Sequence, residues 1–321
     1  MGLRLGLLST ARINELLVGG ARQVDEVEVV AIGSRDRARA EQQAAALGIE
    51  RALGSYEAVL EDPDVDAVYV ALPNALHVEW SIRALEAGKH VLCEKPMARS
   101  PEQVERAFDA AEAAGKVLTE AFMWRHHPQA RLLRELLPRV GELRTVRAQF
   151  SFPLSRAGDV RLSAQLEGGA LMDVGCYCVS GTRLVAGEPL EATGQQVTGG
   201  DGVDMRFAAT MRFAGDVLAH FDCAFDVTDR AELEVAGSEG ALVLRDPWHA
   251  HDPVIEVRGA DGLLEQVEAE RGDAYAYELR DFAAAAAGER PPLFGRVDAV
   301  GQARAITALY ESAASGARVA L

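Results

Sequence analysis

The feature that most constrains the fold of this chain is an alternation over its first 120 residues, where short β-branched or leucine-rich runs take turns with helical patterns. Strands are predicted near Leu3–Leu8, Val27–Ile32, Ala67–Ala71, His90–Cys93 and Val117–Glu120. Strands separated by helices imply βαβ units and a parallel sheet, because parallel neighbours need a crossover long enough to hold a helix. The helices carry their own punctuation. Asn74 can cap one that Gly88 ends, and Ser100-Pro101-Glu102-Gln103 is a capping box with proline at the first helical position, in a helix that stops at Gly115.

After a helical segment around Gln129–Arg139 the texture changes: Val146, Ala148, Phe150 and Phe152 alternate with polar neighbours, the pattern of a half-buried strand. Further strands are predicted near Met205–Phe213, Val217–Phe225, Glu232–Ala236 and Ala241–Leu244, with Ala214-Gly215-Asp216 as a hairpin turn. Short turns between successive strands imply a mainly antiparallel sheet. A helix over Gly169–Ala186 interrupts the series, and helices over Ala274–Ala287 and Val297–Ser315 close the chain. At 321 residues the chain is long enough for two cores. The predicted organisation is α/β throughout: a Rossmann-type domain over 1–122 and a second α/β domain over 123–321, with the helix 297–315 packing back on the first.

A formal net charge of -16 excludes the basic surface that nucleic acid requires. The run after Met1 is too short for a signal peptide and no later apolar stretch could span a bilayer, so neither membrane nor export is expected. Cys93, Cys176, Cys178 and Cys223 have neither zinc spacing nor the density of a disulfide framework, which points to a reducing, cytoplasmic setting.

The first strand runs into Gly6-Leu7-Leu8-Ser9-Thr10-Ala11-Arg12-Ile13, where a dinucleotide fold turns around its pyrophosphate into its first helix. Only Gly6 remains of the three-glycine fingerprint, with Ser9 standing for the second and Ala11 for the third. Small side chains still admit pyrophosphate, and Ser9 or Thr10 can donate to it; equally, a glycine after an apolar strand can be a simple turn. At the end of the second strand, Ser34 and Arg35 occupy the place of the acidic residue that would bind an adenosine ribose, and Arg39 follows one helical turn later. A hydroxyl and guanidinium groups suit a 2′-phosphate, so NADP(H) is the expected cofactor and NAD(H) the poorer fit. Leu72, Pro73, Asn74 and His77, after the strand at Ala67–Ala71, are also assigned to the cofactor.

Glu94-Lys95-Pro96 puts a lysine at the C-terminal edge of the parallel sheet, the side on which doubly wound folds hold ligands, and these three residues complete the cofactor set. Lysine occurs only at Lys89, Lys95 and Lys116 in a chain otherwise supplied with arginine, which suggests a need for a titratable point charge at this place.

With Gly168-Gly169-Ala170-Leu171-Met172-Asp173-Val174-Gly175-Cys176-Tyr177 added to the strand-end turn and Glu94-Lys95-Pro96, the chain resembles the Gfo/Idh/MocA oxidoreductases over essentially its whole length. Tyr177, where many members have histidine, and Glu120-Ala121-Phe122-Met123-Trp124-Arg125-His126-His127-Pro128-Gln129 resemble the branch of dimeric dihydrodiol dehydrogenases and NADP-dependent D-xylose dehydrogenases. The Ser-Thr-Ala form of the phosphate turn matches that branch too. The resemblance implies a Rossmann domain followed by a domain with an open, mainly antiparallel sheet whose outer face commonly forms a dimer, giving a homodimer or a dimer of dimers.

If the segment from Met172 is helical, Asp173 and Tyr177 lie four residues apart and share a face, so both can point at one substrate oxygen; a capping aspartate and a core tyrosine are the alternative. Hydride transfer from a carbinol carbon needs a base for the hydroxyl proton, and reduction needs the same group as an acid. Tyr177 is the choice for that group, Lys95 would lower its pKa and bind the substrate oxygen, and Asp173 would orient substrate or lysine; the roles of Tyr177 and Lys95 could be exchanged. Related enzymes bring aromatic and basic side chains to the pocket at positions corresponding to Trp124, Arg125, Arg147 and Trp248. No metal is expected, since the chemistry needs none and His126, His127, His249 and His251 read as loop residues. The expected function is NADP-dependent oxidoreduction at a hydroxyl of a sugar, polyol or trans-dihydrodiol; a biosynthetic ketosugar or imine reductase and a catalytically silent NADP-binding regulator are the alternatives.

Overall fold

The computed structural model describes residues 2–155 and 158–321. In chain order the first elements are β1 (Leu3–Leu8), α1 (Asn14–Ala21), β2 (Val27–Gly33), α2 (Arg37–Leu47), β3 (Arg51–Leu53) and α3 (Tyr56–Leu60). They are followed by β4 (Ala67–Val70), α4 (His77–Glu86), β5 (His90–Glu94), α5 (Pro101–Ala114), β6 (Leu118–Ala121), α6 (Pro128–Leu136) and β7 (Leu143–Ser151). Next come α7 (Cys176–Ala186), β8 (Glu191–Thr198), β9 (Asp204–Arg212), β10 (Leu218–Ala224), β11 (Arg230–Gly237) and β12 (Ala241–Leu244). The chain ends with β13 (Val254–Gly259), β14 (Gly262–Glu268), α8 (Ala274–Ala286), α9 (Arg296–Ser315) and β15 (Val319–Ala320). These elements form two compact units, Met1–His126 with Gly272–Val300, and His127–Arg271 with Gly301–Leu321.

The first unit is a six-stranded sheet in the order β3-β2-β1-β4-β5-β6, parallel at every pairing. The strand order reverses between β1 and β4, which makes the C-terminal ends of those strands the switch point where a doubly wound sheet opens a crevice. Its strands read as continuous apolar runs because helices cover both faces: Leu5, Leu7, Ile32, Val68, Tyr69, Val70, Val91 and Leu92 are all fully buried. Ser100 accepts from the Gln103 amide and Gly115 closes α5 in the left-handed region, as the capping box predicts. The short β3 carries no signal of its own in the sequence.

Segment 272–300 belongs to this unit although it lies far from it in sequence, whereas the sequence places a single boundary at 122/123. The reason is apolar: Ala276, Leu279, Phe282 and Ala283 of α8 complete the core formed by Leu5, Leu7, Leu17, Val18, Tyr69 and Leu92. Helix α9 divides at 300/301, its first turn with the first unit and the remainder with the second.

The second unit is built on a nine-stranded sheet, β14-β13-β12-β11-β7-β10-β9-β8-β15. All neighbours are antiparallel except β7 and β10, which run parallel. Alternation decides the faces. Val146, Ala148, Phe207, Ala209, Met211, Ala219, Phe221, Leu233 and Val235 are buried on the side where α7 packs. The other face is charged, with Arg147 paired to Glu232 and Glu234, and Arg245 paired to Glu232 and Glu256. Strands β8, β13, β14 and β15 escape sequence reading; β14, for example, is exposed at six of its seven positions and so lacks the alternation that marks a half-buried strand.

Candidate active site

In the first unit the phosphate turn starts at Ser9 rather than at Gly6, which corrects the sequence assignment of Gly6 to the cofactor. Gly6 lies inside β1, where a Cβ would come within 2.5 Å of Val59 Cγ1; its small size serves helix packing. Ser9 has φ 131°, a region that favours glycine, so it stands at the fingerprint's first position; Ala11 and Asn14 then fall at the second and third. The Ser9 hydroxyl donates to the Ala71 carbonyl at 2.7 Å and accepts from the Ala11 amide, tying the ends of β1 and β4 together. Asn14 donates to the Ser9 carbonyl and to Gln43, which in turn holds the Ala11 carbonyl. Thr10 and Ile13 are half-buried in this turn, and Arg12 is exposed.

Ser34, buried at the end of β2, accepts from the Asp36 amide, and Asp36 caps α2 through the Arg39 amide. The guanidinium groups of Arg12, Arg35 and Arg39 make no hydrogen bond or ion pair among the described residues. Most described arginines are paired, so the unpaired Arg35 and Arg39 after β2 fit a multiply charged anion such as a 2′-phosphate, with Arg12 after β1 in the phosphate turn.

Glu94-Lys95-Pro96 is held from several sides. Tyr69 donates its hydroxyl to Glu94 Oε1, and Glu94 Oε2 accepts from the Lys95 amide at 3.2 Å. The peptide bond between Lys95 and Pro96 is cis. His77, fully buried, sets one ring nitrogen 3.0 Å from the Pro96 carbonyl and the other 2.7 Å from the Leu72 carbonyl. Burial lowers its pKa to about 4, against the pull of those two carbonyls, and the nearby Lys95 charge lowers it further. His77 is thus neutral, with one N–H to donate to one of the two carbonyls, and it fills the space between the β4 and β5 strand ends. Glu120 at the end of β6 accepts the Met97 amide at 2.6 Å. Pro73 and Asn74 lie half-buried at the C-terminal end of β4, Asn74 opening a short 3-10 turn ahead of α4.

In the second unit Asp173 and Tyr177 lie where the helix starts, but the first turn, Leu171–Gly175, is a π-turn that passes into α7. Wider turns of this kind recur at functional sites. Asp204 anchors the turn: buried, it accepts from the Leu171 amide at 2.7 Å and from the Tyr310 hydroxyl at 2.8 Å. Gly169, at φ 122°, leaves room for that carboxylate, since a Cβ would fall 2.2 Å from Asp204 Oδ1. Tyr177 is 8% exposed. Its ring meets Phe150 edge-on with centroids 5.4 Å apart and lies 5.9 Å from Trp248. Arg161 donates from Nε to Asp173 Oδ2 at 2.8 Å and from Nη1 to Asp159 at 3.2 Å, and the Asp173 charge raises its pKa. Arg161 lies in a loop without a recognisable motif, and nothing in the sequence singles it out.

The expected pocket residues are distributed differently. Arg147 is not beside Tyr177: it projects from the charged face of β7, opposite Phe150, and its ion pairs with Glu232 and Glu234 account for it. Arg125 is buried, ion-paired with Asp298 at 2.6 Å and stacked 3.6 Å over the Phe294 ring, all within the first unit. Trp248 is fully buried behind Tyr177, donating from Nε1 to the Gln149 carbonyl at 3.1 Å. Trp124 is also buried, in the first unit. His126 and His127 lie in the turn ahead of α6, as the sequence suggests, but their side chains are buried. His249 and His251 close a loop on Asp246, whose carboxylate accepts their two backbone amides and is held down to about 2, the imidazole and amide hydrogen bonds outweighing its burial.

A doubly wound sheet with a guanidinium-lined phosphate turn, followed by a unit that presents a tyrosine and an aspartate on one helix, defines an oxidoreductase of the dinucleotide-binding class. Comparison with known proteins narrows this. Residues 5–122 match the oxidoreductase family with an NAD-binding Rossmann fold, and residues 131–243 match the GFO/IDH/MocA C-terminal domain. The chain is 38% identical to D-xylose 1-dehydrogenase (NADP(+)) 2 of Haloferax volcanii, over 98% of this chain and 99% of that protein. It is 32% identical to a bovine (Bos taurus) trans-1,2-dihydrobenzene-1,2-diol dehydrogenase, over 80% and 78% respectively. The crystal structure of a 3-ketoreductase from Actinomadura kijaniata with NADP and TDP-benzene superposes with a TM-score of 0.92 at 33% identity, covering 97% of this chain and 98% of that one. This chain belongs to the Gfo/Idh/MocA oxidoreductase family.

Proposed function

We propose that the protein is an NADP(H)-dependent oxidoreductase that moves a hydride between the nicotinamide and a carbinol carbon of a sugar, polyol or trans-dihydrodiol. The observation that carries the reading is Tyr177, nearly buried among aromatic rings one turn after an aspartate that Arg161 fixes. A phenol so enclosed is shielded from bulk water, and its proton passes to or from a substrate oxygen. Relatives that act on D-xylose and on a trans-dihydrodiol support the substrate class.

Arg35 and Arg39 would hold the 2′-phosphate, Ser34 would line its site, and the turn Ser9-Thr10-Ala11-Arg12-Ile13 would face the pyrophosphate at the start of α1. When bound, NADP supplies the hydride acceptor and NADPH the donor. Lys95 places a positive charge that polarises the substrate oxygen and favours the tyrosinate, Tyr177 exchanges the proton, and Asp173 accepts from a substrate hydroxyl. Lys95 and Tyr177 can exchange the first two roles. The working form on this reading is a cytoplasmic homodimer or dimer of dimers, supported by the family resemblance, by four free buried thiols, and by Leu218 and Val197 exposed on the sheet's outer face.

The test is NADP⁺ reduction across aldoses, polyols and dihydrodiols, with Tyr177→Phe alongside. The variant is expected to bind NADPH as wild type does while turnover falls by about a hundredfold or more, the scale of a lost general acid-base group; unimpaired turnover rejects the assignment. Light scattering reads the oligomer. Reduction of a ketosugar is the second reading, favoured by the 0.92 TM-score to a 3-ketoreductase. NADPH oxidation with a ketosugar but no NADP⁺ reduction by any alcohol would select it. Tight NADPH binding without turnover in either direction would select a regulator.

A further inference from the structure

Asp246, His249 and His251 are the one group of three metal-ligating side chains, among the described residues, whose donor atoms all lie within 4.8 Å of one another. They sit in the loop between β12 and β13, inside the second unit. The Nδ1 atoms of His251 and His249 lie 3.1 and 3.6 Å from the two oxygens of the Asp246 carboxylate, and the imidazoles stack with centroids 5.4 Å apart. The loop that carries them is fixed by its own contacts. Trp248 and Ala250, on either side of His249, are buried, and the Trp248 indole donates to the Gln149 carbonyl. Ala250 has φ 53°, in the left-handed region where a residue with a Cβ is strained. Its amide donates to the Asp246 carbonyl at 3.2 Å, the His251 amide to the Asp246 carboxylate at 2.8 Å, and Arg271 to the His251 carbonyl at 3.2 Å. Arg271 is itself paired with Glu268 and Asp252. Two imidazoles and one carboxylate are thereby gathered at the surface, with His251 81% exposed.

The donor set selects the ligand class. A first-row divalent ion holds imidazole nitrogen and carboxylate oxygen at about 2.0 to 2.2 Å, which places neighbouring donors about 3.0 to 3.5 Å from one another. The 3.1 and 3.6 Å separations at Asp246 already approach that spacing. Imidazole with carboxylate suits zinc, nickel or copper, whereas calcium and magnesium take oxygen donors. We propose that Asp246, His249 and His251 form a binding site for a divalent transition-metal ion of the zinc class, with water completing its coordination. The site is separate from the chemistry assigned to Tyr177: no step is given to the ion, and the proposal stands whether or not that reading holds. The two places are joined only through packing, the His249 ring meeting Phe150 edge-on at 5.6 Å and Phe150 meeting Tyr177 at 5.4 Å.

The experiment is isothermal titration of the untagged full chain with zinc chloride in a buffer that does not chelate it. Wild type should bind one equivalent with a Kd on the order of micromolar, weaker than a closed four-ligand site because only three ligands come from the protein. His251→Ala removes the most exposed ligand, so its circular dichroism should match wild type while its zinc affinity falls by about tenfold or more. Asp246→Asn should lose zinc binding by a similar factor; where the missing carboxylate unfolds the loop, His251→Ala carries the test alone. Zinc should raise the melting temperature of wild type and leave that of His251→Ala unchanged, since an ion stabilises only the state that binds it. Electron paramagnetic resonance of the chain with one equivalent of Cu²⁺ should show nitrogen coupling that His251→Ala reduces. Magnesium at about a hundredfold excess should not displace the zinc, having no preference for imidazole. Absence of zinc binding up to about 1 mM, an affinity in His251→Ala within about twofold of wild type, or displacement by magnesium would each overturn the proposal. The cluster would then be a carboxylate hydrogen-bonded within its own loop and nothing more.

Discussion

At Glu278 the first unit carries a carboxyl that makes no hydrogen bond at either oxygen among the described residues and is 1% exposed. Burial, with the Glu94 and Asp281 charges added, pushes its pKa well above the usual 4.5, so it is protonated in the folded state where it would be ionised in the unfolded one. The linkage follows. Between 4.5 and the raised value the folded state holds the extra proton, so this residue's contribution to stability falls as pH rises through that window. Glu278→Gln, a match for the protonated form, is expected to stabilise by about 1 to 3 kcal/mol at neutral pH and to change little near pH 4.5, the scale of a buried unpaired polar group. Denaturant midpoints at the two pH values check it, and equal shifts at both would reject the protonation. Nothing in the sequence marks this residue, because a glutamate on a predicted amphipathic helix reads as its solvent face until the partner surface is known. Arg35 is the opposite case. Its position after the second strand is legible from local order alone, and Arg35→Ala is expected to weaken NADP⁺ binding by about ten- to a hundredfold while leaving NAD⁺ unchanged, one charge-assisted phosphate contact being removed. Isothermal titration with both dinucleotides decides it.

Among the elements, those with a clean period were legible and those with a structural partner elsewhere were not. The five apolar strands of the first unit and the helix capped at Ser100 follow from local chemistry. The π-turn does not, because it depends on Asp204 reaching the Leu171 amide from another strand. The setting of His77 is another such case: its helix position is ordinary, and only the fold brings the Pro96 and Leu72 carbonyls to its ring. Its folded pKa of about 4 lies below the ordinary 6.5, so the unfolded state binds more protons between those values. The stability that a neutral His77 provides is therefore full above 6.5 and is lost as pH falls towards 4, by on the order of 3 kcal/mol. His126, lowered to about 3 by burial and the neighbouring Arg125 charge, acts in the same direction. Acid unfolding monitored by fluorescence should be shallower in His77→Gln, which cannot take up that proton, even though the variant starts less stable. An identical acid slope in the variant would show that His77 does not carry the effect.

For the whole molecule, the sequence order of the chain and its compact units disagree, and this has a consequence for what can fold alone. A division at 122/123 predicts that the N-terminal segment is self-sufficient. The first unit, however, takes Gly272–Val300 as well, and Ala276, Leu279, Phe282 and Ala283 of α8 share a core with Leu5, Leu7, Leu17 and Tyr69. Arg125 and His126 also meet partners in that segment, Asp298 at 2.6 Å and Asp281 at 3.6 Å. Removing α8 would uncover the apolar side of α1 and of the sheet, where burying a single leucine or phenylalanine contributes about 1.5 to 3 kcal/mol against a total stability of only about 5 to 15 kcal/mol. Residues 1–126 expressed alone are thus expected to lack a cooperative thermal transition and to bind no NADP⁺. The same residues joined through a flexible Gly/Ser linker to residues 272–300 are expected to recover both, with a melting temperature that rises with NADP⁺ concentration, by an amount equivalent to about 2.7 kcal/mol at a hundred times Kd. Calorimetry of the two chains with and without NADP⁺ makes the comparison. A cooperative, NADP⁺-responsive melt in 1–126 alone would show that α8 is dispensable and restore the simple linear division; its return only with 272–300 would make the N-terminal unit one whose last helix the chain delivers after it has built the other.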